Sequence, residues 1–170
     1  MHHLGSLQDL FVYQLRDLRS AEQQLVNALP KMAQAASSTD LRDAFNQHLE
    51  QTRNHVQRLD TIFSDLGMTP GSEECEAMKG LIKEGENAIQ AQGDSVVKDA
   101  ALIAAAQRVE HYEIAGYGTV RTYAKELGYD DAASLLDKTL DEEGNTDKKL
   151  TKLAEGGIFQ SGINKRATAD

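Results

Sequence analysis

The sequence predicts an all-α fold, an antiparallel bundle of four long helices. Alanine, leucine, glutamate and glutamine are abundant, whereas 170 residues contain two prolines, four phenylalanines and no tryptophan. Such a mixture favours helix and offers little for a sheet. Apolar residues recur every three or four positions through four long stretches, the period of a helix that buries one face. Serine, aspartate and glycine punctuate those stretches where helix caps and terminators belong.

The first long helix is expected over 6–36, opened by Ser6 as N-cap and carrying Leu7, Phe11, Leu15, Leu18, Leu25, Leu29 and Met32 on one face. The Ser37–Asp40 turn stops it and caps a second helix over 39–67, with Leu41, Phe45, Leu49, Val56, Leu59 and Phe63 before Gly67. A loop with Thr69, Pro70 and Gly71 leads to a short helix over 74–90. Gly93 and Asp94 open a third long helix over 94–128, bearing Ile103, Ala106, Val109, Val120 and Leu127. Asp130 caps the fourth, over 130–155, with Leu136, Leu140, Leu150 and Leu153. The tail, 160–170, is polar and reads as frayed, and Met1–Gly5, with His2 and His3, is set aside from the fold.

The long helices have roughly 25 to 32 residues each, or about 40 to 48 Å. Short links make the first pair and the last pair antiparallel hairpins. The link between the pairs holds the extra helix and can cross the bundle. Two hairpins joined by a long crossover are the ferritin-like arrangement, here with one extra short helix in the crossover.

The length suits one domain over 1–170, large enough to bury a real core. A net charge of −9 repels phosphate backbones and anionic lipid, so neither nucleic acid nor a membrane is an expected partner. The sole cysteine, Cys75, has no internal disulfide partner and fits a reducing cytoplasmic setting. No apolar run approaches the length of a membrane span.

Acids occupy positions where leucine belongs. On the first helix, the series Phe11, Leu15, Leu18, 22, Leu25 turns Glu22 inward. On the third, Ile103, Ala106, 110, 113, Tyr117 does the same for Glu110 and Glu113. On the fourth, Leu136, Leu140, 143, 147, Leu150 selects Glu143 and Asp147. Buried unpaired carboxylates are costly and repel one another. The remedies are protonation, a buried base such as Arg53, or bound cations. Two divalent ions with oxygen and imidazole ligands suit iron or manganese, with no organic cofactor.

The second helix offers several ligands. Thr52 lies on its inner stripe, flanked by His48 and His55. Glu22 and His55 are 33 residues apart, as are Glu110 and Glu143, which sets His55 level with the acids if the hairpins are equivalent. Glu50 lies about 140° from the stripe centre at about 100° per residue. His55 therefore ranks above Glu50, and the choice stays open.

The stretch EHYE at 110–113, followed by IAGYGT, resembles the YciF/YciE ferritin-like stress-protein family. RDLRSAEQQL at 16–25, HLEQT at 48–52, CEAMKGLIKEG at 75–85, DAALIAAAQRVEHYEIAGYGT at 99–119 and LDEEGNTDKKL at 140–150 extend the likeness from Leu7 to about Ala154. The resemblance implies a bundle with its short helix (74–90) at a homodimer interface, kinship with rubrerythrin-type diiron proteins and a part in bacterial stress responses. It also implies that Glu22, Glu110, Glu113 and Glu143 match the diiron glutamates. The second helix departs from the pattern: Thr52-x-x-His55, or Glu50-x-x-Arg53, stands where Glu-x-x-His is expected, and Asp147 replaces a histidine.

Two expectations follow. One is a stress-response protein with a dinuclear, or reduced to mononuclear, iron or manganese site acting on oxygen, peroxide or iron. The alternative is a non-enzymatic homodimeric scaffold whose metal site is vestigial. Whether the chain is an enzyme is left undecided between them. The apolar stripe of the short helix (Met78, Leu81, Ile82, Ile89), on an element that covers little core, is the residue-level argument for the homodimer.

Overall fold

A computed structural model describes residues 4–158 and 160–168. His2 and His3 lie outside the described residues. Four long helices form the bundle: α1 (Leu7–Ala35), α2 (Thr39–Asp65), α4 (Ser95–Glu126) and α5 (Asp130–Glu155), with α3 (Glu76–Gln90) in the crossover. The fold is all-α and helical throughout its core. α1 pairs with α2 and α4 with α5. The two hairpins then close on each other through α2 against α5 and α1 against α4.

Local chemistry sets the ends. Ser6 accepts from the backbone N–H of Asp9, Ser38 from Leu41, and Asp94 from Val96 and Val97. α2 and α4 run out into Gly67 and Gly128 at φ 61 and 74, a conformation that favours glycine. Asp130 differs from its expected role. Tyr129 holds the N-cap position of α5 without a side-chain bond, and Asp130 and Asp131 sit in the first turn, where negative charge complements the helix dipole.

The tail needs correction too. β1 (Gly156–Gly157) pairs antiparallel with β2 (Gln160–Ser161), and α6 (Ile163–Arg166) folds back on α4 and α5 with Ile163 fully buried. Gly162 passes so close to the backbone of Ala154 and Glu155 that any Cβ there would clash. One apolar anchor and this close passage hold a segment whose polar composition suggests fraying. Ala169 and Asp170 lie outside the described residues.

The apolar stripe of α3 is also spent differently from the expectation. Leu81, Ile82 and Ile89 are half-buried against α1 and α4 of the same chain, and Met78 is fully buried. The stripe therefore packs in part on the chain's own bundle. No helix among the described residues is long and apolar enough to cross a membrane.

The core splits into two apolar halves. One gathers Leu25, Leu29, Leu41, Phe45, Leu102, Ile103, Val109 and Leu150. The other gathers Phe11, Leu15, Leu18, Leu59, Ile62, Tyr117, Val120 and Leu136. Between them each long helix contributes buried polar residues: Glu22; His48, Thr52 and His55; Glu110 and Glu113; Thr139, Glu143 and Thr146. A polar layer thus crosses the middle of the bundle.

At the end of the bundle near the α1–α2 turn, buried Asp99 accepts bonds from the Ser37 and Ser38 backbone N–H groups, both at 2.8 Å, and from the Ser37 hydroxyl at 2.7 Å. This one carboxylate ties the turn to α4. Asp99→Ala would strand three donors and is expected to lower the unfolding free energy by about 2–4 kcal/mol in urea titrations. A loss below about 1 kcal/mol would mean that the turn is held by something else.

Candidate metal centre

Two sets of ligand-type atoms form within the polar layer. One atom each from His48, Glu110, Glu113 and Glu143 lies within 4.8 Å of the other three, and the same holds for Glu22, His55 and Glu143. Glu143 belongs to both. The two imidazole rings stand 6.4 Å apart, centre to centre. The geometry is that of two adjacent subsites sharing one carboxylate.

Each histidine is held by its outer nitrogen and offers the inner one. His55 Nε2 pairs with Glu142 Oε2 at 2.9 Å, and Arg58 grips both oxygens of Glu142, at 2.6 and 3.0 Å. His55 Nδ1 faces inward, 2.9 Å from Glu143 Oε1 and 3.2 Å from Glu22 Oε1, without the alignment of a hydrogen bond. His48 Nδ1 lies 3.3 Å from the Thr146 hydroxyl, while its Nε2 lies 3.2 Å from Glu110 Oε1, again unaligned. The Thr146 hydroxyl donates to the Glu142 backbone carbonyl and can accept from a His48 Nδ1–H. That assignment leaves the Nε2 lone pair free toward the carboxylates. Outer partners that fix tautomer and ring orientation are a usual companion of metal-binding histidines. Tyr117 donates its hydroxyl proton to Glu22 Oε1.

The site is under-bonded. Eight of the ten buried side-chain polar atoms without a hydrogen-bond partner among the described residues belong to Glu22, His48, His55, Glu110, Glu113 and Glu143. Unmet buried polar atoms are rare in folded proteins and call for a cause such as an ion. The donor set, carboxylates with imidazoles, fits a divalent first-row metal.

Burial raises the pKa of Glu22, Glu110, Glu113 and Glu143, with Glu110 pushed up to about 8. Repulsion from Glu143, Glu22 and Glu110 adds to the shift at Glu113. Burial alone would depress His55, but the Glu22 and Glu143 carboxylates outweigh it and hold the imidazolium to about 11. Without a metal the layer is thus neutralised by protons, one of them on His55.

Of the residues singled out in the sequence, Glu22, Glu110, Glu113, Glu143 and His55 meet in the layer. Glu50 does not: its side chain is 67% exposed and pairs with Arg53 on the surface. Arg53 consequently cannot neutralise the core. Asp147 is half-buried at the edge, accepting from Gln107 Nε2 at 3.0 Å and lying 3.3 Å from the exposed His111. Its expected inward direction follows only if Leu140 lies on the core face, and Leu140 is half-buried. The inner stripe of α5 instead runs Leu136, Thr139, Glu143, Thr146, Leu150. On α2 the buried series is His48, Thr52, His55, Leu59, Ile62, which centres both histidines, and Val56 is only half-buried. Glu142 and Arg58 were missed, since partly exposed charges on a helix flank carry no signal of their own.

Fold and layer together define a four-helix carboxylate–histidine protein of the ferritin-like kind. A family described as a domain of unknown function (DUF892) matches residues 6–167, and this chain belongs to that family, as it does to the YciF-like proteins. It is 46% identical over 164 residues to Protein YciF of Escherichia coli, covering 96% of this chain and 99% of that protein. The crystal structure of the E. coli stress protein YciF superposes with a TM-score of 0.88, at 44% identity, over 97% of this chain and 99% of that one. The solved structure of YcfI from Rhodopseudomonas palustris gives a TM-score of 0.85 at 45% identity, covering 89% of this chain and 96% of that one.

The proton-neutralised layer fixes a pH dependence. The glutamates have folded pKa values above their ordinary 4.5, and His55 about 11 against 6.5, so in both cases the folded state holds the extra protons. The glutamates lose stability as pH rises above 4.5, through about 8 for Glu110, and the His55 contribution fades between 6.5 and about 11. Burial would raise Glu142, but its bonds to Arg58 and His55 hold it low, so its opposing change is over once the pH has passed the ordinary 4.5. Chelator-treated protein is therefore expected to unfold more easily at about pH 9 than at about pH 6, by on the order of 1 kcal/mol per unit for each affected group. Equal urea midpoints at the two pH values would contradict this.

Proposed function

We propose that this protein holds two divalent iron or manganese ions in its polar layer and uses them in oxidant chemistry during stress. The eight unpartnered site atoms are the observation that carries the reading. Four ionised carboxylates bring a charge of −4, which two divalent cations balance, so the protons are no longer needed for neutrality. His48, Glu110, Glu113 and Glu143 would hold one ion; Glu22, His55 and Glu143 the other. A pair of such ions supplies electrons two at a time to an O–O bond.

The chain's own residues do the rest. Glu143 ties the two subsites, so neither can shift without the other. Arg58 and Glu142 orient His55, and Thr146 orients His48. The Tyr117 hydroxyl donates to Glu22 and fixes the direction of that carboxylate. Leucine-rich half-cores above and below limit water in the layer. The stress context is supported by the likeness to the E. coli stress protein YciF.

A second reading, a non-enzymatic stress or scaffold protein with a vestigial site, draws on the ion pairs of His55 with Glu22 and Glu143, which give the layer an internal counterion. Metal counting separates the two. Protein loaded with Fe(II) under nitrogen is expected to hold about two ions per chain; His48→Ala and Glu113→Ala about one, and Glu143→Ala close to none. Fewer than about one ion in the unaltered protein would leave the scaffold reading standing.

A further inference from the structure

A narrow void runs between α1, α3 and α4, lined by Leu25, Ile82, Gly85, Ala106, Val109 and Glu110. It holds only a few water-sized molecules, and its walls are almost wholly apolar. Lys31 and Glu86, paired at 3.3 Å and both solvent-accessible, stand at its outer side. Its inner side includes Glu110, a member of the metal cluster with an unpartnered Oε2. The void thus lies between the surface beneath α3 and Glu110, the one residue of the polar layer in its wall.

Gly85 has no structural excuse. It lies inside α3 with ordinary helical backbone, where glycine is disfavoured against alanine. A Cβ there would meet only Met32 Sδ, at 3.6 Å, an ordinary contact. Neither backbone conformation nor crowding therefore requires glycine. What a side chain at 85 would do is fill the void.

We propose that this void is the route by which dioxygen reaches the metal layer, and that it excludes hydrogen peroxide. Walls this apolar offer water few hydrogen bonds and favour small apolar guests. Dioxygen is such a guest. Peroxide would leave its hydrogen bonds to water at the mouth and find no replacement on these walls, a costly exchange. The inference rests on the proposed metal site and names the oxidant that the site uses.

Xenon, an inert stand-in for dioxygen, tests the route without any metal. Crystals of the unaltered protein under xenon pressure are expected to show the gas between Leu25, Ile82 and Ala106, and Gly85→Leu crystals to show none. In anaerobically iron-loaded protein, Gly85→Leu should slow oxidation by dioxygen about tenfold while oxidation by peroxide keeps its rate. Ala106→Leu, from the opposite wall, should act alike, with helicity and iron count unchanged in both. No xenon in the void overturns the route whatever the iron count, as does unchanged or equally slowed oxidation by the two oxidants. Failure to bind iron would overturn the metal site as well, and the iron count reads that outcome separately.

Discussion

The structure depends on a single expensive arrangement, four carboxylates and two imidazoles buried together across the middle of an apolar bundle. Each group in isolation would lose several kcal/mol on leaving water, on the order of 2–7 kcal/mol even for a neutral polar group. They are tolerable only as a set, with protons or cations shared among them. That requirement fixes the relative heights of the four long helices. Sliding any one of them by a turn would set a glutamate against leucines of one half-core and a leucine among the carboxylates. The two apolar halves supply the driving force for folding, and the layer between them decides which register that force may settle into.

The layer is in turn held from outside. Arg58 fixes Glu142, Glu142 fixes the outer nitrogen of His55, and the Thr146 hydroxyl meets the outer nitrogen of His48. These contacts leave the inner nitrogens close to carboxylates yet off hydrogen-bond direction, a poor geometry for a hydrogen bond and one open to a shared cation. Protonated, the same atoms form a neutral cluster, relieved of mutual repulsion and enclosed by leucines that admit little water. Cation binding and proton loss are therefore opposite faces of one equilibrium, because each ligand must shed its proton before it can coordinate.

Much of this is legible in the amino-acid sequence. Glu22, Glu110 and Glu113 interrupt apolar series whose period is regular on both sides, so their inward direction follows from spacing alone. Glu143 was found the same way, but through a series that also drew in Asp147. The reason is specific: Thr139 and Thr146 carry the buried stripe of α5, whereas regular apolar spacing runs through Leu140 and Asp147. A buried threonine looks like a surface residue in a sequence, because its hydroxyl can be satisfied within its own helix, as Thr146 is by the Glu142 carbonyl. On α2, Thr52 lies inward as its spacing implies, but a stripe drawn through Val56 leaves His48 and His55 on its flanks, whereas the buried series passes through both. The tail was illegible for another reason, since one isoleucine among polar residues leaves no periodicity to find.

The crossover helix shows how a short amphipathic element is tied to its own bundle. Cys75 caps α3, accepting at its sulfur from the Met78 N–H at 3.4 Å, and its backbone N–H donates to Ser20 Oγ on α1 at 2.9 Å. Gln24 of α1 donates to the Cys75 carbonyl at 3.1 Å. The Tyr112 hydroxyl of α4 lies 3.0 Å from the Cys75 sulfur and donates to Asp17 of α1. Ser20 and Gln24 flank Glu22, and Tyr112 adjoins Glu113. The start of α3 is therefore pinned to both neighbouring helices at the level of the buried glutamates. Its stripe then closes the α1–α4 seam over the half-core beyond them. Removing that cover would open the layer to water along one side, and water is the one solvent in which the buried charges would no longer need each other, or a metal.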